Sequence, residues 1–206
     1  YEKSVIAVGK AAQDRPFESR AEVSIKLSAL HPRYEYSQSD RVLAELTPRL
    51  KQLALLAKKY EISLTVDAEE ADRLTLSLDI FAKVFNDSDL GDWQGLGLAV
   101  QAYQKRAPQV LDFLIELQGG GNRKIPVRLV KGAYWDSEVK LAQEQGLSGY
   151  PVYTRKCNTD ASYLTCAQKI LKNTEAFIPR FATHNARTIS AIINFAEAEK
   201  VSFEFQ

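Results

Sequence analysis

Pro126-Val127-Arg128-Leu129-Val130-Lys131-Gly132-Ala133-Tyr134-Trp135 is the stretch on which the fold turns. Its first five residues form an apolar run broken by one cation, which reads as a buried strand. Residues 136–145 behind it read as a helix. Upstream, Val110, Leu111, Leu114 and Leu117 mark a helix that Gly119-Gly120-Gly121 ends. Before it, Leu96–Gln101 reads as a buried strand. Residues 71–85 read as a helix with Leu74, Leu78, Phe81 and Phe85 on one face. Ile62–Asp67 is a strand by alternation. Ser39 suits the cap of a helix running to about Tyr60, with Leu43, Leu46, Leu50, Leu53 and Ala57 at spacings of three and four. Pro48 should kink that helix or mark its true start. Val23–Ser28 reads as a strand and residues 2–12 as a helix. Downstream come a loop over Gly146–Thr154, a helix over 159–173, a short strand Arg180–Thr183, a helix over 186–199 and a last strand over 201–206.

Strands alternating with helices mean parallel strands joined by crossover helices. Two α/β architectures compete, an open doubly wound sheet and a closed barrel. An eight-stranded barrel usually needs ~250 residues. Six strand-helix units in 206 residues would be that barrel cut short at both ends. The run Phe203-Glu204-Phe205-Gln206 reads as a buried strand, so the chain is expected to be an excised piece of something longer. No linker or charge run divides it, so residues 1–206 are expected to be part of a single domain.

The chain carries 27 Lys+Arg against 26 Asp+Glu, a formal net charge of +1, with 45% hydrophobic residues. That balance argues against nucleic acid as a partner. No apolar run approaches the ~18 residues a membrane span needs, and no signal peptide is visible. Cys157 and Cys166 do not make a disulfide framework and suit a reducing, cytoplasmic compartment. They are nine residues apart and match no zinc spacing, and no carboxylate cluster or His-x-x-x-His suggests a metal.

Buried parallel strands should be apolar, yet here each carries polar residues late in its length. They are Lys26, Asp67, Gln101, Arg128 with Lys131, and Thr183 with His184. One such residue is a rim group reaching water. On five successive strands the same feature points to one face, because parallel strands end on the same side. In barrels that face carries the active site, and in open sheets the ligand crevice. Ionised groups inside a barrel cost several kcal/mol unless paired or ligand-bound. Glu69 and Glu70 read as solvated or as helix starters, and His31, before a proline, as a loop residue.

No glycine-rich loop advertises phosphate binding. Gly95-Leu96-Gly97 lacks the third glycine of a dinucleotide fingerprint and precedes its strand. A phosphate is left to basic side chains or to the helix that begins near Asn185. Tyr153-Thr154-Arg155-Lys156 offers such cations, and a solvated basic loop is an equal reading. At the end of the opening stretch, a guanidinium, an ammonium and two adjacent aromatics meet a glycine that lets backbone approach closely. That combination favours a flat ligand over Trp135 as a plain core filler.

Taken together, these residues resemble the proline dehydrogenase domain of the bacterial bifunctional proline utilization A flavoenzymes. The matching stretches are Ser24–Tyr34, Asp67–Leu74, Gln101–Arg106, Arg128–Glu138, Tyr150–Lys156 and Phe181–Asn185, in order and at family spacing. The resemblance implies a distorted (βα)8 TIM-like barrel that binds FAD. It implies oxidation of L-proline to Δ1-pyrroline-5-carboxylate by hydride transfer to flavin N5, with electrons passed to quinone. It implies that Arg128 sits near N5 and that Gln101 bonds the pyrimidine edge. Lys131, Gly132, Trp135, Arg155, Lys156, Thr183, His184 and Asn185 would hold the ribityl, pyrophosphate and adenine parts, Trp135 near the adenine. Lys26 would contact the proline carboxylate and Asp67 would orient the carboxylate-binding arginines. Leu129, Ala133 and Tyr134 would shape the pocket around the pyrrolidine ring. The resemblance further implies a separate pyrroline-carboxylate (aldehyde) dehydrogenase domain in the parent protein, and a cytoplasmic parent that meets the inner membrane only peripherally.

The family's first strand, and the last strand and helix with their paired arginines, have no counterpart here, and no Arg-Arg pair occurs. The chain alone is therefore expected to be poorly active. Two other readings stand beside this one. A Schiff-base, aldolase-like barrel would use Lys26 or Lys131 as nucleophile. A non-catalytic barrel scaffold would use neither.

Overall fold

The computed structural model describes residues 1–206, the side chain of Glu18 apart. Its contacts divide into two compact units, Tyr1–Leu98 and Ala99–Gln206.

The first unit holds α1 (Glu2–Ala11), β1 (Val23–Ile25), α2 (Ser39–Lys59), β2 (Leu64–Val66), α3 (Leu74–Phe85) and the start of β3 (Leu96–Gln101). β1 pairs with β2 and β2 with β3, both in parallel, with Ile25 opposite Val66 and Val66 opposite Leu98. All three residues of β2 are buried, not alternate ones, as a strand covered on both faces requires. Val42, Leu46, Leu50, Leu53, Ala54 and Ala57 form the buried stripe of α2. Val42 takes the place expected of Leu43. Ser39 is the first helical residue and caps nothing with its side chain. Pro48 neither starts nor stops α2. It and Ala44, the residue whose carbonyl loses a donor, are both on the exposed face, where the freed carbonyl is open to solvent. On α3 the buried face centres on Leu76, Ile80, Phe81 and Val84, and Leu74 and Leu78 lie at its margin.

The second unit holds the end of β3, α4 (Ala107–Gln118), β4 (Ile125–Val130), α5 (Trp135–Glu144), α6 (Lys156–Lys172), β5 (Phe177–Phe181), α7 (Ala186–Glu199) and β6 (Glu204–Phe205). Gly119 closes α4 in the left-handed conformation, φ +60°, as the triple glycine led us to expect. β4 and β5 pair in parallel from Ile125 opposite Phe177 to Leu129 opposite Phe181, and β6 adds in parallel with Arg180 opposite Glu204. Beyond β3, Ala102 N–H donates to the Val130 carbonyl. The buried Tyr163 of α6 sets its hydroxyl 3.1 Å from the Leu129 carbonyl and 3.3 Å from that of Ala182, tying the ends of β4 and β5 together.

Several boundaries differ from expectation, and the last strand, expected to be buried over 201–206, is only Glu204–Phe205 and exposed, because no further element covers it among the described residues. β5 begins at Phe177, because Pro179 interrupts an apolar run without ending the strand. α6 begins at Lys156, ahead of the Thr159 that looked like its start. β1 ends at Ile25, so Leu27–Ala29 is a 3-10 turn and Lys26 is the hinge between them. The strand order is β1-β2-β3-β4-β5-β6. An open doubly wound sheet reverses its order at a switch point, whereas strands added in chain order belong to the barrel type.

Candidate active site

In the first unit, the pairing of Ile25 with Val66 puts the next residues, Lys26 and Asp67, side by side past the ends of two parallel strands. Asp67 N–H donates to the Ile25 carbonyl at 2.8 Å, and Lys26 Nζ lies 3.9 Å from Asp67 Oδ2. Burial pushes the Asp67 carboxyl above the usual carboxylate range, Lys26 draws it down and Glu69 pushes it up again. Glu69 is buried, contrary to its reading as a solvated residue. Its carboxylate accepts the Ser28 N–H at 3.0 Å and meets Arg73 Nη1 at 3.2 Å. Arg73 in turn lies over the Tyr34 ring. Glu69 thus clamps the 3-10 turn that follows Lys26. Only the four-residue spacing of Glu69 and Arg73 hinted at this. His31 is a loop residue, but a buried one. Its Nε2 is 3.0 Å from Glu45 and its Nδ1 accepts the Arg33 N–H.

The raised Asp67 carboxyl predicts how stability responds to pH. Unfolded, an aspartate loses its proton near pH ~4. Folded, Asp67 keeps it longer, so between the two values the folded chain binds more protons. The contribution of Asp67 therefore favours folding less and less as pH rises through that window. Asp67→Asn removes this dependence. Urea midpoints measured from pH 4 to 7 should fall more steeply for the wild type than for the variant.

In the second unit, Gln101 ends β3, is buried, and accepts the Ala133 N–H through Oε1 at 3.0 Å. It therefore fixes the loop between β4 and α5. Tyr103 N–H donates to the Lys131 carbonyl, and Tyr153 N–H to that of Tyr103, each at 2.8 Å. Gly132 has φ +138°, and a Cβ there would stand 2.4 Å from Cγ of Tyr103. Trp135 opens α5, is 42% exposed and donates from Nε1 to the Tyr153 carbonyl at 3.0 Å, so it is not a core filler. These contacts border an open cavity of about 440 Å³ lined by Tyr103, Lys131, Gly132, Trp135, Tyr153, Thr154, Lys156 and Thr159. Lys131 and Lys156 both bond Asp160, whose carboxyl they hold below its usual range. Asp160 and Tyr103 were not among the expected site residues. The Lys156–Asp160 spacing of four was the available signal for the first.

Of the other expected residues, Arg155 precedes the first turn of α6 and does not line the cavity. Thr183, His184 and Asn185 form the loop before α7, also outside the lining. Asn185 accepts the Thr188 N–H and is the helix cap. Ala133 is exposed and Tyr134 half-buried at the start of α5. Leu129 is fully buried and adjacent to Arg128 on β4, so the two side chains leave opposite faces of the strand. Arg128 donates from Nε to Gln206 Oε1 at 2.6 Å. Burial and the neighbouring Arg180 both disfavour its charged form, and Glu204 supports it.

Comparison with known proteins places this geometry. The family model described as proline dehydrogenase matches residues 1–206. The bifunctional protein PutA of Salmonella typhimurium is 54% identical over 196 residues, covering 95% of this chain and 15% of that protein. PutA of Rhizobium meliloti is 51% identical over 208 residues, covering 100% of this chain and 17% of that protein. The chain thus spans about a sixth of these relatives. A crystal structure of a Bradyrhizobium japonicum proline utilization A variant superposes with a TM-score of 0.96 at 51% identity, over 100% of this chain and 21% of that one. The Bdellovibrio bacteriovorus protein inactivated by N-propargylglycine gives 0.92 at 30% identity, over 100% and 23%. The fold is accordingly α/β, a six-stranded portion of a TIM-like barrel. A family model matched from the first residue to the last, and relatives more than half identical, show that the chain belongs to the proline dehydrogenase family.

Proposed function

We propose that this chain oxidises L-proline to Δ1-pyrroline-5-carboxylate with FAD as the hydride acceptor, and that the electrons go on to a quinone. The cavity of the second unit carries the proposal. Three aromatic side chains wall it, two ammonium groups reach it, and a glycine keeps its floor low over the Tyr103 ring. Its volume lies in the range of ligand pockets. Those features fit a cofactor made of flat rings joined by phosphates. Lys131, Lys156 and Arg155 would take the phosphates, Trp135 a ring, and Thr183, His184 and Asn185 the outer nucleotide part. FAD supplies the oxidant, accepting two electrons and a proton's worth of hydrogen as hydride.

The chain's own residues have the remaining work. Lys26 holds the proline carboxylate, and Asp67 fixes the cations that share that task. Tyr134, Ala133 and Leu129 border the ring. Arg128 keeps positive charge where the reaction accumulates electrons. Proline must bind as the neutral amine, so that its nitrogen lone pair forms the C=N bond as hydride leaves the adjacent ring carbon. Positioning and electrostatics suffice for this chemistry. The Schiff-base alternative fits less well. Lys26 and Lys131 each lie against a carboxylate, whereas nucleophilic lysines sit in apolar pockets or beside a second cation. As the relatives are named bifunctional, we also propose a pyrroline-carboxylate dehydrogenase domain elsewhere in the protein, and a cytoplasmic protein that touches the membrane peripherally.

The experiment is anaerobic addition of proline to the FAD-loaded protein. The flavin absorbance should bleach, and the product should trap as a pyrroline adduct. Lys26→Met should raise KM for proline about tenfold or more, the loss of one charge-assisted bond, with kcat less affected. A flavin that proline leaves oxidised would overturn the reading. Trapping of a carbonyl substrate on Lys26 or Lys131 by borohydride would put the aldolase in its place.

A further inference from the structure

α6 opens against the electrostatics of its own backbone. Arg155 precedes its first turn and Lys156 is its first residue, with no acidic side chain in that turn. The N-terminus of a helix carries partial positive charge and disfavours cations. Lys156, Asp160 and Tyr163 follow at spacings of four and three, so they share one face of the helix. That face meets Lys131, the residue after the end of β4. Lys131 Nζ donates to Asp160 Oδ1 and lies 5.9 Å from the centre of the Tyr163 ring. Lys156 Nζ donates to Asp160 Oδ2 at 2.8 Å. One carboxylate thus gives each of its oxygens to a different ammonium, and the two ammonium groups stand no farther apart than two hydrogen bonds and a carboxylate allow. Each ammonium has three N–H groups and gives one to Asp160, and the rest meet no acceptor among the described residues. Both lysines line the cavity, whereas Asp160 does not. Stability does not account for this arrangement. The Lys156 side chain is 74% exposed, so its ion pair adds little, and lysine ahead of the acid is the weaker order for a pair four apart.

We propose that Asp160 is a positioning residue of the cofactor site, gathering the Lys131 and Lys156 ammonium groups on one carboxylate so that they meet the phosphates of FAD as a preformed pair. This rests on the reading that these two lysines take the phosphates. Without the carboxylate, the two like charges repel, Lys156 returns to solvent, and the cost of ordering both falls on the binding step. Asp160 also works against binding, because its own charge repels a phosphate. The two effects respond differently to salt. Repulsion at a distance fades as the Debye length falls from about 10 Å at ~0.1 M to about 3 Å at ~1 M, whereas the entropy of ordering two side chains does not.

The test is fluorescence titration of the apoprotein with FAD at ~0.1 M and ~1 M salt, with the urea midpoint recorded for each variant. Asp160→Asn should bind FAD about tenfold more weakly at high salt, the lower end of what losing an orienting partner costs at metal sites, and by a smaller factor at low salt. Asp160→Glu, which keeps the charge, should recover most of the affinity. Asp160→Ser also removes the carboxylate, carries the same expectation and stands in should Asp160→Asn not fold. A residue that acts through the lysines has no effect without them. In a Lys131→Met, Lys156→Met background, Asp160→Asn should therefore change FAD affinity less than about twofold. If that background alone binds FAD as the wild type does, the lysines do not hold the phosphates and the reading of the site fails. If the background binds weakly while Asp160→Asn binds FAD as tightly as the wild type, or more tightly, at both salts, the proposal alone fails. An equal loss in both backgrounds overturns it too, because Asp160 then acts through the fold and not through the lysines.

Discussion

Replacing Arg128 with methionine should lower kcat for proline oxidation by about two to three orders of magnitude, the usual cost of removing one preorganised electrostatic group from an active site. The chain already bears the cost of having this group charged. Arg128 is partly desolvated and stands opposite a second buried arginine, and both conditions disfavour its charge. A side chain kept charged in such a place is poorly explained by stability. Stability gives the discriminating readout. Removing a desolvated cation that repels its neighbour relieves strain, and a methionine fills the space of the arginine stem. The urea midpoint of Arg128→Met should therefore stay level or rise while activity collapses. Arg128→Lys keeps the charge but loses the planar fork, and should fall between the two. Activity within threefold of wild type in Arg128→Met, with FAD fully bound, would remove Arg128 from the chemistry.

The sequence made the strand tips legible for a simple reason. Parallel strands covered on both faces leave almost no place for polar residues except their ends, so Lys26, Asp67, Gln101 and Lys131 stood out against apolar runs. The structure puts each of them at or just past the C-terminal end of its strand. Helix boundaries were legible where a glycine in the left-handed region stops the helix, as at Gly119, and less so where backbone geometry alone starts it, as at Lys156. The relations that depend on register were not legible. Nothing in local periodicity tells that Arg128 faces Arg180, or that Glu204 faces Arg180, because a shift of one residue in either strand would part them. Glu69 was misread for a similar reason. Its burial is decided by the Ser28 N–H and Arg73, partners brought to it by folding. β5 was displaced because Pro179 reads as a breaker, although a strand accepts proline wherever the ladder does not need its N–H.

Gly132→Ala should weaken FAD binding about a hundredfold, about 3 kcal/mol at 1.4 kcal/mol per factor of ten. Two effects follow, the first on folding stability and the second on FAD binding. The backbone at φ +138° is one that side chains with a Cβ rarely adopt, and holding it costs about 1–3 kcal/mol. The new methyl group would also overlap the Tyr103 ring, whose atoms stand 2.4–2.6 Å from its position. The ring has to give way, and it is itself a wall of the cavity. An empty site tolerates that displacement, but a filled one does not, so the penalty falls on the loaded state. Gly120→Ala isolates the first effect. Gly120 also has positive φ, +74°, in the same unit, but nothing lies within 4 Å of the added atom. It should lose about 1 kcal/mol of stability and bind FAD as the wild type does. Fluorescence titration of the apoproteins with FAD, alongside urea unfolding, measures both. Equal FAD affinity in the two glycine variants would mean that the Tyr103–Gly132 contact does not form the floor of the cofactor site.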